Sequence, residues 1–264
     1  MATIKNPKAD GSRNQLDTDK EEHNNLVIGY KALRNFVGFA GIILPFWLMQ
    51  TAFQAETDPG ILPSISDYFH STSGDVLVVV VALLAAFLIF YKGYNLIENM
   101  LTTLAGIAVL MVGFFPTATK PVPYRFSKSI HIEFVDVPEL AGIELHFLFA
   151  GLFFLCITIL CLAYFPISTK ENITTRKKIR NAIYFSCGFV MAACVIGILV
   201  VAFLQNDHPQ LRDASWIFWL ETVALIAFGI AWLTKGETIL PDNWSEHYVL
   251  QGARQLGKAI KEKR

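Results

Sequence analysis

Six strongly apolar stretches constrain this 264-residue chain more than any other feature of its sequence. A helix rises about 1.5 Å per residue, so roughly 20 residues cross a hydrocarbon layer about 30 Å thick. In lipid every backbone amide must be bonded within its own segment, which favours helices over open strands. The sequence therefore predicts an all-α fold, a polytopic transmembrane bundle with six spans at 35–53, 76–91, 100–115, 146–165, 182–204 and 216–234.

Charge separates cleanly between alternate polar segments. The first set (1–34, 92–99, 166–181 and 235–264) holds 18 Lys and Arg against 11 Asp and Glu. The second set (54–75, 116–146 and 205–221) holds 4 against 11. Because Lys and Arg are retained on the cytoplasmic side of bacterial membranes, this pattern predicts that both termini lie in the cytoplasm.

Composition agrees with a membrane location. Hydrophobic residues make up 53% of the chain and the mean hydropathy is +0.44, above the apolar share of about 45–50% in soluble domains. The first 32 residues lack the order of a cleavable signal peptide, so the first span is predicted to target the chain to the bacterial inner membrane. The four cysteines all lie inside spans, where a thiol acts as a small apolar group.

Three parts are predicted along the chain: a polar cytoplasmic tail (1–32), the membrane domain (33–235) and a cytoplasmic C-terminal segment (236–264). In the last part, Val249, Ala253, Leu256 and Ile260 repeat at helical spacing, with basic residues on another face. A basic amphipathic helix of this kind suits anionic lipid headgroups on the cytoplasmic leaflet. A solvated tail is the alternative. No nucleic-acid partner is expected.

Glu221 is the most unusual single residue, because it falls within the sixth span. It shares a helical stripe with Ala224, Phe228 and Ala231, so it is predicted to face the bundle interior as a candidate catalytic or coupling group. A charged group at mid-depth costs about 2.5–3.5 kcal/mol on insertion scales, so it must be protonated, hydrated or paired. The alternative is a shallow carboxyl hydrated from the surface.

Histidines concentrate on the predicted outer side. His70 and His146 are expected at a common depth beside Ser66 and Asp75. Imidazole and carboxylate are usual zinc ligands, so His70, His146 and Asp75 are candidate ligands, with Ser66 as a further candidate catalytic residue. No HxxxH or HExxH is present. Ordinary hydrogen bonding is the alternative for each histidine, and helix capping is the alternative for Ser73 and Asp75.

The chain resembles a group of uncharacterised bacterial six-pass inner-membrane proteins over most of residues 63–236, in runs such as PSISDYFHSTSGD, ELHFLFAGLFF and FWLETVALIAFGIAWLTKG. That resemblance implies a six-span fold and no particular activity. More distantly, Ser66, His70 and His146 resemble the ceramidase and progestin-receptor-like superfamily of membrane hydrolases, which use Ser, Asp and His at helix ends around zinc. That superfamily has seven spans and an HxxxH in the last, whereas the last span here offers Glu221.

Two functions follow as expectations. The first is a transport, sensing or assembly component of the membrane with its polar site on the outer face. The second is an intramembrane hydrolase that acts on a lipid and could depend on a metal.

Overall fold

Helices follow the apolar stretches of the sequence. The computed structural model describes residues 29, 32–51, 61–93, 95–117, 139–140, 143–167, 175–205, 207–208, 211, 215–236 and 238–240. Within them lie α1 (Ala32–Thr51), α2 (Gly74–Phe90), α3 (Leu96–Phe114), α4 (Leu145–Ile159), α5 (Thr175–Leu204) and α6 (Trp216–Lys235). The predicted tails, 1–32 and 236–264, lie almost wholly outside the described residues.

Five of these helices are long and apolar enough to cross a membrane, and the predicted all-helical fold is confirmed. The shorter one is α2, whose 17 residues span about 26 Å at about 1.5 Å per residue. Apart from Asp75 its side chains are apolar, and it packs on α3. The six-span arrangement therefore stays a prediction that depends on α2.

Four short elements accompany these helices in the described residues. A 3-10 helix, Ser66–His70, precedes α2. Two strands, β1 (Glu139–Leu140) and β2 (Ile143–Glu144), pair antiparallel just before α4. A π-helix, Leu160–Tyr164, continues α4, and the amide of Phe165 donates to the carbonyl of Leu160 at 2.8 Å. This turn carries the buried side chains of Cys161 and Phe165 into the core.

The start of α5 differs from the sequence prediction. The fifth span was expected from residue 182, with the basic run before it as a polar loop, but the helix already begins at Thr175. Residues 175–181 are therefore a helical extension that carries Arg176, Lys178 and the buried Arg180. All four cysteines are free and buried, as expected for thiols that act as small apolar groups.

The segments that connect the helices contact one another at two ends of the bundle. At one end, called here the Ser66 end, Ser66 of the 3-10 helix contacts His146 at the start of α4, and Ile61, before that helix, contacts Ser215 at the start of α6. At the other, called the Lys235 end, the start of α1 meets the end of α6, since Arg34 donates to the carbonyl of Lys235. Segments that the charge pattern predicts on the same side of the membrane therefore lie at the same end of the bundle.

The most buried spanning helix is α6, in which 61% of the apolar window is inside the bundle, against 22–39% in the other four. Its buried face carries Ala224, Phe228 and Ala231, the stripe that the sequence predicted. Against it α1 approaches so closely that a Cβ added at Gly229 would lie 2.5 Å from the carbonyl oxygen of Gly38. Small residues permit this backbone contact.

That close approach predicts opposite effects for two glycine substitutions. Gly229→Ala should lower the stability of the detergent-solubilised protein by about 1–3 kcal/mol, because the new methyl group forces α1 and α6 apart. Gly151→Ala is the matched control, since a Cβ there meets nothing within 4 Å and alanine favours a helix. Unfolding measured in mixed micelles compares the two, and equal effects would contradict the packing described.

Candidate functional site

The 3-10 helix at the Ser66 end is fixed by a reciprocal pair of hydrogen bonds. The amide of Ser64 donates to Oδ2 of Asp67, and the amide of Asp67 donates to Oγ of Ser64, each at 3.1 Å. This is the pattern of a capping box, which satisfies two amides at a helix start. Both side chains are buried, so the turn that carries Ser66 has a defined backbone position.

Glu221 ties the same turn to α6. One oxygen of its carboxyl group, Oε2, accepts a hydrogen bond of 2.6 Å from the amide of Ile65, the residue before Ser66. The amide of Phe218, in the first turn of α6, donates to the carbonyl of Pro63 at 2.8 Å. Amides in the first turn of a helix have no acceptor within that helix, and Pro63 supplies one. The predicted inward orientation of Glu221 is consistent with this contact. The side chain is half-buried and holds the Ser66 turn in place.

Ser66 and His146 form the central contact of the site. Oγ of Ser66 lies 2.7 Å from Nε2 of His146, and Nδ1 of His146 lies 2.7 Å from the carbonyl oxygen of Phe115. A carbonyl oxygen only accepts, so Nδ1 carries a proton, and in the neutral ring Nε2 is the acceptor. The hydroxyl of Ser66 therefore donates to a buried imidazole whose tautomer is set by the backbone of α3.

The other predicted site residues make different contacts. Nε2 of His70 lies 2.8 Å from the carbonyl oxygen of Thr117. Asp75 is exposed in the first turn of α2, where a negative charge is favourable near the helix start. Ser73 occupies the N-cap position of α2, as the capping alternative predicted, but its side chain makes no capping bond. Its hydroxyl donates to the carbonyl of Leu48 and contacts Oγ1 of Thr51, which joins α2 to the end of α1.

The zinc site stays a prediction from sequence. Both ring nitrogens of His146 already contact protein oxygen atoms. In the part of the chain that the structure describes, no three His, Cys, Asp or Glu side chains are grouped to hold a metal ion. Four further His, Asp and Glu residues of the predicted outer segments, His131, Glu133, Asp136 and Asp213, lie outside the described residues.

A cavity of about 90 Å³ lies beside the Ser66–His146 contact. Three of its lining residues carry polar side chains, Ser66, His146 and Glu221, and no Lys or Arg is among them. The rest of the wall is almost wholly apolar, and comes from α1, α2, α3, α4 and α6, for example Leu44, Val81, Val109, Phe153 and Leu225. The site is therefore an apolar chamber with a hydroxyl, an imidazole and a carboxyl group at one end.

A second polar cluster lies at the Lys235 end. Nζ of Lys235 is 2.8 Å from Oε1 of Glu98, and the two side chains are only 6% and 1% exposed. The hydroxyl of Tyr91 donates to the same oxygen at 3.2 Å, and the ammonium lies 4.6 Å from the ring centre of Phe165. Sequence reasoning missed this pair, because each residue was assigned to a polar loop just outside a span.

Comparison of the chain with protein-family models, curated proteins and solved structures finds no match. What the site does is therefore inferred from its own geometry.

The ion pair at the Lys235 end predicts strong coupling between two substitutions. Lys235→Met or Glu98→Gln alone should lower the unfolding free energy by about 3–5 kcal/mol, because each leaves one buried charge or donor without its partner. The double variant should lose much less than the sum of the two. Unfolding in mixed micelles measures this cycle, with Lys178→Met as the exposed control. Additive losses would show that the two side chains do not stabilise each other.

Proposed function

We propose that this chain is a six-span protein of the bacterial inner membrane, and that its functional site is the cavity at the Ser66 end. In this role it binds one end of an amphiphilic molecule, as a component of transport, sensing or assembly. The observation that carries the proposal is the division of the cavity into apolar walls and one polar end formed by Ser66, His146 and Glu221.

The walls favour an apolar group, since burial of apolar surface gains about 25 cal/mol per Å². A volume of about 90 Å³ is smaller than the roughly 150 Å³ cavity that accepts a benzene ring, so it suits a few carbon atoms and not a whole acyl chain. The remainder of a long chain would extend from the cavity into the surrounding lipid. The occupant is then the head end of a lipid-like molecule.

The polar end favours an uncharged head. A negative head would meet the carboxyl group of Glu221, which lines the cavity. A hydroxyl or amide head can donate to Glu221 or to His146, and a hydroxyl, ester or amide head can accept from Ser66. Pairing with polar groups already present offsets the cost of burying such a head.

Ligand binding is tested with a long-chain alcohol that carries a photoreactive diazirine near its hydroxyl group. We expect the purified full chain to be labelled on cavity residues and the labelling to be displaced by decanol more effectively than by decanoate. Ala150→Leu adds three carbons to the cavity wall and should remove the labelling. Leu155→Phe, on the exposed side of the same helix, should leave it unchanged. Labelling that ignores Ala150→Leu would refute the proposal.

The proposed orientation places the Ser66 end outside and the Lys235 end in the cytoplasm. The split of basic residues supports it. The exposed Arg176 and Lys178 at the start of α5 also suit the predicted contact with anionic headgroups of the inner leaflet.

Reporter fusions test this orientation. Fusions at Lys170 and at the C-terminus should report cytoplasm, and fusions near Ser64, Ser127 and Gln210 should report the outside, because retained basic residues set the orientation. A C-terminus outside the membrane would overturn the six-span arrangement.

A further inference from the structure

We infer that Ser66 is an activated nucleophile and that the cavity hydrolyses an uncharged ester with a short acyl group, without a metal. This inference rests on the proposed function, because it gives the same cavity a reaction in addition to binding. Three observations carry it: the direction of the Ser66–His146 hydrogen bond, the group that orients His146, and the cavity beside both side chains.

The hydrogen bond has the direction that general-base catalysis needs. Nε2 of His146 accepts from the hydroxyl of Ser66 at 2.7 Å, within the range for a nucleophile and its base. In a catalytic triad a third group holds the imidazole in the correct tautomer. Here the carbonyl oxygen of Phe115 does so, at 2.7 Å from Nδ1.

The position of the pair also fits a reactive site. Ser66 and His146 both line the cavity. A ligand in the cavity can therefore reach both side chains, which a hydrogen bond that only stabilises packing does not require. The backbone that carries Ser66 is fixed from two sides, by the Ser64–Asp67 capping box and by Glu221 through the amide of Ile65. Glu221 thus acts as a positioning residue for the nucleophile.

The reaction balances with water as the only co-reactant. Oγ of Ser66 attacks the ester carbonyl carbon and its proton moves to Nε2 of His146. The bond from that carbon to the alcohol oxygen breaks, and the alcohol leaves with the proton from His146. Water then attacks the acyl-Ser66 ester, His146 accepts a proton from the water, and the proton returns to Oγ of Ser66 as the carboxylic acid leaves.

The cavity sets the class of substrate. Its volume of about 90 Å³ accepts the few carbons nearest the scissile bond, and the described residues that line it include no Lys or Arg to bind a phosphate or carboxylate group. The substrate is therefore an uncharged ester with a short acyl group, whose alcohol part extends into the lipid.

An alkyl fluorophosphonate tests the nucleophile directly in the purified full chain. We expect covalent labelling at Ser66, located by peptide mass spectrometry, and no labelling of Ser66→Ala. Ser215→Ala is the matched control, because its hydroxyl lies at the same end but donates to the carbonyl of Ile61, and it should be labelled like the unaltered chain. Absence of labelling at Ser66 in the unaltered chain would overturn the inference.

Two further measurements separate catalysis from a structural role. His146→Gln should slow labelling by on the order of 10²-fold or more, the range for loss of a general base. Because that variant could fail to fold, the labelling rate of the unaltered chain is also followed against pH, and it should rise through a single ionisation. Labelling should persist in a chelator. A flat pH profile, or labelling that a chelator removes, would each refute a metal-free Ser–His pair.

The outcomes also separate this inference from the proposed function. Alcohol labelling that responds to Ala150→Leu, without fluorophosphonate labelling, leaves a binding site and removes the hydrolase. Fluorophosphonate labelling at Ser66 without alcohol binding leaves the nucleophile and removes the proposed ligand.

Discussion

The cost of placing a charged side chain within a membrane governs how this bundle is built. Two buried or half-buried carboxyl groups within the helices have specific partners in the described chain. Glu221 accepts from the amide of Ile65, and Glu98 pairs with Lys235. These contacts join segments far apart in sequence, so the groups that are most expensive to bury also fix which helices meet.

These two contacts fix the position of helix α6. It carries Glu221 near its first turns and Lys235 at its last residue, about 21 Å apart along the axis at about 1.5 Å per residue. Between them its buried face is small and aromatic, with Ala224, Phe228 and Ala231 against the other helices. The apolar middle gives α6 area to pack, while the two polar contacts give it a fixed position along its own axis.

The sequence predicted the helices well because hydrophobic length and period are properties of one segment. The six apolar stretches match α1 to α6. The pairing of helices could not be predicted in this way, because the period of one segment does not show which helix lies next to it. The Glu98–Lys235 pair was missed for that reason, and both residues were placed in loops.

The same limit applies to the site. A common depth for Ser66, His70 and His146 could be predicted from their distances to the span ends, and Ser66 does meet His146. Depth alone does not give the direction of a side chain around its helix or turn. His70 therefore contacts Thr117, Asp75 is exposed, and Glu221, chosen as a reacting group, is the residue that holds the Ser66 turn through Ile65.

The contacts at the two ends of α6 bear on the proposed role in transport, sensing or assembly. A shift of α6 by one helical turn, about 5.4 Å, would break both the Glu221–Ile65 and the Glu98–Lys235 contacts. Breaking the second alone would leave two buried groups without partners, at a cost of several kcal/mol. Alternating access requires large relative movement of helices around a central site. A helix held at both ends instead favours a preorganised site, in which Ser66 and His146 keep their geometry as a ligand enters and leaves.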